Sequence, residues 1–111
     1  MNKTEQEEIY QKAISKWGYK AQLVMLMEEC AELIQVSSKM LRYFGQENKD
    51  PFWLCNFVEE MADVEIMIEQ FKMMVNNQEE MENVDFIKNM KLSKLKEILY
   101  HEERVDEFKW Q

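Results

Sequence analysis

The stretch that decides the fold is residues 21–41, AQLVMLMEECAELIQVSSKML. It contains no Gly or Pro, and its apolar residues recur at three- and four-residue intervals, which is the spacing of one face of an α-helix. Three carboxylates, Glu28, Glu29 and Glu32, interrupt it. At 100° per residue the side chains nearest Glu29 and Glu32 are Gln22, Met25, Leu26, Leu33 and Val36, so two acids lie on an apolar face. A second stretch repeats the pattern. In VEEMADVEIM, residues 58–67, Glu60 and Asp63 are three apart and share their side with Trp53, Phe57, Val64, Met67 and Phe71. Glu65, Glu69 and Lys72 fall on the other side of that helix and form an ordinary solvated face.

Working outward, the chain reads as helix nearly throughout. Its 111 residues include only 2 Gly and 1 Pro, with 46% hydrophobic residues and 10 Met, which predicts a single all-α domain over residues 1–111. TEQE at residues 4–7 has the form of a capping box, with Thr4 as the cap and Glu7 as its reciprocal partner. A short first helix then runs to about Lys16 and ends at Gly18. A second spans about Tyr19 to Phe44, with Gly45 as its C-terminal cap. GQENKDP, residues 45–51, is a loop in which Asp50 and Pro51 start a third helix, expected to reach about Asn76. NNQEEMEN, residues 76–83, breaks the pattern, and a fourth helix follows from about Val84 to Tyr100. The expected architecture is a four-helix bundle. Apolar residues spread around much of helices two and three call for burial on more than one side, so the bundle is expected to be completed by oligomerisation.

Charge and composition exclude several classes of function. Fourteen basic against 22 acidic residues give a formal charge of −8, and the basic residues do not cluster, so duplex nucleic acid is not an expected partner. No apolar run is long enough to cross a bilayer, and the charged N-terminus lacks the apolar core of a signal peptide, which points away from membranes and towards the cytoplasm. Cys30 and Cys55 have neither CxxC spacing nor a histidine beside them, and they read as buried thiols in a reducing compartment.

Buried carboxylates without a counter-charge cost several kcal/mol even after relaxation, of order 5 kcal/mol each, so two such pairs call for cations or for protonation. No Lys or Arg lies within a helical turn of either pair on its own helix. Two carboxylate pairs on facing helices form a hard, anionic oxygen set suited to Mg²⁺, with Mn²⁺ as a second candidate. A di-iron bundle would need a Glu-x-x-His on each of two helices, whereas the one histidine, His101, stands among surface acids near the C-terminus. A non-catalytic helical protein that receives a partner's basic residues would account for the charge, though not for the placement of acids on apolar faces. A metal-binding helical bundle would use the same ligands.

The motif E-E-x-x-E, 27 residues, E-x-x-D resembles that of the MazG-like, all-α nucleoside triphosphate pyrophosphohydrolases, in the compact single-domain form found in phages and bacteria. The matching residues are Glu28, Glu29 and Glu32 in EECAE and Glu60 and Asp63 in EMAD, and the resemblance extends over about Trp17 to Met74. It implies Mg²⁺-dependent hydrolysis of a nucleoside triphosphate to the monophosphate and pyrophosphate. It further implies Glu29, Glu32, Glu60 and Asp63 as metal ligands, Glu28 as a motif residue of open role, and a homodimer or homotetramer. A nucleotide also needs an apolar slot for its base and cations for its phosphates. Trp17, Gln22, Trp53 and Phe57 are candidates for the slot, with core packing as the alternative for the aromatics. Lys39 and the set Lys88, Lys91, Lys94 and Lys96 are candidates for phosphate contact, with plain solvated charge as the alternative. The methionines, among them Met25, Met27, Met61, Met67, Met73 and Met74, read as core and subunit interface.

Overall fold

The computed structural model describes residues 1–43, 53–76 and 83–109, with side chains described as far as Glu103. All of its regular structure is helical: α1 (Lys3–Tyr43), α2 (Trp53–Val75) and α3 (Val84–Lys109). The chain divides into two compact units, Met1–Met73 and Met74–Gln111. The first contains α1 and nearly all of α2, and the second is built on α3. Among the described residues no helix is long and apolar enough to cross a membrane.

The two helices expected before the first loop are one element here, with a break at the expected residue. Gly18 has φ 83° and ψ 163°, a conformation that is not helical. Side chains with a Cβ are essentially barred from that region, so glycine is required there for its backbone alone. Apart from its own chain neighbours and the adjoining helix backbone, no described atom lies within 4 Å of where a Cβ would stand. Helix therefore resumes at once on the far side of a kink, and no linker separates the two arms.

The start of α1 differs from the capping box expected at Thr4 and Glu7. The cap is Asn2, whose Oδ1 accepts from the Glu5 amide at 2.8 Å and whose carbonyl accepts from Gln6 N at 3.2 Å. Asn is as good a cap as Ser or Asp, and using it extends the helix to include Thr4. At α3 the Asn83 carboxamide oxygen accepts from Asp85 N at 2.9 Å and Phe86 N at 3.1 Å. Asn76 closes the same turn by accepting from Val84 N at 2.8 Å and donating to Asp85 Oδ2 at 3.1 Å. Thus α3 begins at Val84 as expected, and it continues well past Tyr100. Phe44, Gly45, Asp50 and Pro51, on which the expected first loop rests, lie outside the described residues, as do residues 77–82.

In the first unit α1 and α2 run antiparallel. Gln22 meets Gln70, and Glu32, ten residues further along α1, meets Glu60, ten residues back along α2. The seam is thin: among the described residues Val64 and Met67 are the buried apolar side chains, and Gln22 and Gln70 are buried with them. Much apolar surface stays in solvent, with Met27 70%, Ile34 67% and Leu41 72% exposed. The cysteines share this incompleteness. Cys30 is half-buried and Cys55 exposed, which corrects the expectation of two buried thiols, because among the described residues the face of α2 that carries Cys55 stays open.

Candidate metal centre

The antiparallel seam delivers the acids. Spacing of i, i+3 puts Glu29 beside Glu32 on α1 and Glu60 beside Asp63 on α2, and the alignment of the helices sets the pairs against each other. One oxygen from each of the four lies within 4.8 Å of the others, and Glu29, Glu60 and Asp63 are half-buried while Glu32 is exposed. Opposed ligand oxygens around Mg²⁺ stand about 4.2 Å apart, so small side-chain rotations bring this set onto one divalent ion.

Electrostatics point the same way. The Glu29 carboxyl is held above its ordinary pKa by loss of solvent, and further by the charges of Glu32, Asp63 and Glu60 and a hydrogen bond with Glu32. Glu60 is raised too, again first by loss of solvent, then by a hydrogen bond with Glu32 and by the charges of Glu32, Asp63 and Glu59. Every one of these influences opposes ionisation, and none comes from a cationic side chain. Oε2 of Glu29 and Oε2 of Glu60 are shielded from solvent and have no hydrogen-bond partner. A buried acceptor left without a donor costs about 1–3 kcal/mol, more when charged. A divalent cation satisfies all of these conditions at once: it supplies the missing charge and fills the unused oxygen lone pairs. The donor set, carboxylate throughout, fits Mg²⁺ or Mn²⁺.

The remaining candidates are distributed unevenly. Glu28 is exposed and is not one of the converging acids. Trp17 is 58% exposed, with the Lys16 ammonium 5.3 Å from its ring centre. Trp53 and Phe57 are half-buried on α2, Phe57 one turn before Glu60, and Lys39 is exposed on α1. Gln22 is buried, and its Oε1 accepts from Gln70 Nε2 at 2.7 Å, which commits that oxygen to the helix seam. Lys91 is exposed on α3 in the second unit, beside an open apolar recess of about 520 Å³ formed with Ile87, Leu92 and Leu95. That recess includes none of the four acids. On the solvated side of α2, Lys72 pairs with Glu69 at 3.5 Å, the ordinary surface arrangement expected there.

Sequence reasoning passed over Gln70 and gave Gln22 a different role. The signal was available: Gln22 stands seven residues before Glu29, and Gln70 stands seven after Asp63. Two amides placed symmetrically about the acid pairs, on the same apolar faces, are what an antiparallel hairpin needs if it is to bury one against the other. No protein-family model, curated protein or solved structure matches this chain.

Proposed function

We propose that this protein is a Mg²⁺- or Mn²⁺-dependent nucleoside triphosphate pyrophosphohydrolase of the MazG-like, all-α kind, converting a (d)NTP to the (d)NMP and pyrophosphate. The observation that carries the reading is the convergence of Glu29, Glu32, Glu60 and Asp63 within 4.8 Å, with two shielded oxygens lacking partners and no cation among their influences. In this reading the four carboxylates hold the ion. When bound, it neutralises the triphosphate and acidifies a water.

The chain's own residues then have separable tasks. Glu29 and Glu60, whose carboxyl pKa values are raised above the ordinary value by loss of solvent and by the neighbouring acids, act as ligands in their ionised form, so metal binding should strengthen as pH rises. The aromatic faces of Trp17, Trp53 and Phe57 offer stacking surface for a base, and Lys39, seven residues beyond Glu32 and about 10 Å along the helix, offers a charge for phosphate. Glu28, outside the convergent set, is either the proton acceptor for the attacking water or a solvated acid. Turnover of Glu28→Gln separates the two: it is lost in the first case and retained in the second.

The same proposal includes the finer architecture, a four-helix MazG-like arrangement completed as a homodimer or homotetramer in the cytoplasm. The thin seam supports it, since two buried apolar side chains among the described residues leave a helical hairpin far short of an independent core. The test of the reaction is product identity across canonical and modified nucleotides with Mg²⁺. Monophosphate and pyrophosphate are expected in equal amounts. Orthophosphate as the sole inorganic product, or no turnover with any nucleotide, refutes the reading.

A further inference from the structure

The most completely buried polar groups of the first unit lie away from the acids. Gln22 is 5% exposed and Gln70 2%, and the two are joined by a hydrogen bond of 2.7 Å from Gln70 Nε2 to Gln22 Oε1. We infer that this amide pair fixes the alignment of α1 on α2 and so positions the four carboxylates.

The rest of the seam specifies little. Its apolar side chains include Leu26, Leu33 and Val36 on α1 and Phe57, Val64 and Met67 on α2. Contacts between flexible or similar apolar groups discriminate poorly between one alignment and another slipped by a turn or two. The acids cannot select the observed alignment without a cation, because bringing like charges together opposes it. A buried amide pair can. Slipping the helices parts the two amides and leaves at least one of them without a partner in an apolar seam, and a single buried polar contact is known to fix helix register in this way. The placement is suited to the task, because Gln22 precedes Glu29 by the same seven residues by which Gln70 follows Asp63. Setting one pair therefore sets the other, about 10 Å away along the seam.

The alignment claim is independent of any chemistry at the acids, while its effect on metal affinity rests on the function proposed above. The native thiols Cys30 on α1 and Cys55 on α2 provide the test. Spin labels on both, with labelled protein diluted into unlabelled protein so that only distances within one chain are read, should give one narrow distance in the wild type. In Gln22→Leu/Gln70→Leu the volume is kept and the pairing requirement removed, so melting should be as high as in the wild type or higher. The distance should nonetheless broaden, or shift as the helices slide past each other, by about 10 Å along the axis for a slip of seven residues, and Mn²⁺ affinity should fall tenfold or more. Gln22→Glu keeps an acceptor for Gln70 Nε2 and should keep the wild-type distance. A narrow, unshifted distance in the double variant overturns the inference, and so does a shifted one in folded Gln22→Glu. If the double variant does not fold, Gln22→Met, which leaves Gln70 unpaired and should melt lower than wild type, carries the same expectation for the distance and is overturned by a narrow, unshifted one. Wild-type protein that binds no Mn²⁺ while the double variant still shifts the distance refutes the metal reading and leaves the alignment standing.

Discussion

Glu29 and Glu60 stand on different helices, and each keeps its Oε2 shielded from solvent without a hydrogen-bond partner. Neither acid has a cation among the groups that shift it, and both hold their protons above the ordinary carboxylate value. A fold that arranges this without metal is working against itself, and the consequences can be measured.

The first consequence is a pH dependence of stability. Both folded-state pKa values lie above the ordinary value of 4.5, so the native state binds protons more tightly than the unfolded chain. The contribution of these groups to stability therefore falls as pH rises from about 4.5 through their raised values, and it is constant beyond them. In metal-free buffer Glu60→Gln should melt higher than wild type at about pH 8, and the difference should close towards about pH 4.5 as the wild-type carboxyls protonate. Parallel melting curves with a pH-independent difference would show that the acids do not strain one another.

Substitutions should also divide the acids of α2 into two classes. Asp63→Asn and Glu60→Gln alter the proposed ligands, and each should reduce Mg²⁺-dependent turnover by a factor of about 100 or more, in line with the loss of a group that stabilises developing charge. Glu65→Gln and Glu69→Gln change exposed residues and should leave turnover within about twofold, at less than about 0.5 kcal/mol in stability. Equal losses in both sets, measured as initial rates, would make net charge rather than position the cause.

Exposed apolar surface yields a third expectation. Ile34 is 67% exposed in the single chain, where Ile34→Gln should be nearly neutral, within about 0.5 kcal/mol. If this surface is covered by a second copy, the same substitution should shift sedimentation towards the monomer and make melting depend more steeply on concentration. An unchanged sedimentation profile would place Ile34 outside any interface.

The kink supplies a fourth. Gly18→Ala places a Cβ where space is open but where the backbone conformation disfavours it, so the variant should lose about 1–3 kcal/mol. Chemical denaturation measures this directly, and a stability equal to wild type would mean that the arms straighten without loss.

How much of this was legible in the sequence depends on the kind of signal. The helices and the break at Gly18 were, because 3.6-residue periodicity and glycine are local properties. So was the grouping of Glu29, Glu32, Glu60 and Asp63, since each pair shares a face and an apolar seam must bring such faces together. The caps were less so: Asn2 and Thr4 both carry a suitable acceptor two residues apart, and nothing local decides between them. Cys55 was misread because apolar neighbours in sequence imply burial only if a partner surface exists. Gln22 was offered for the base slot by its nearness to Glu29, and the hydrogen bond that it accepts from Gln70, 48 residues away, is a pairing that only the alignment of the two helices reveals.

The most direct measurement of the central claim is Mn²⁺ binding followed by electron paramagnetic resonance, with Mg²⁺ as competitor, in wild type, Glu29→Gln, Glu60→Gln and Glu65→Gln. Wild type and Glu65→Gln should bind Mn²⁺ with similar affinity and release it to excess Mg²⁺, while Glu29→Gln and Glu60→Gln should each bind at least tenfold more weakly. Equal binding by all four proteins, or none by the wild type, would contradict the assignment of these carboxylates as a metal centre.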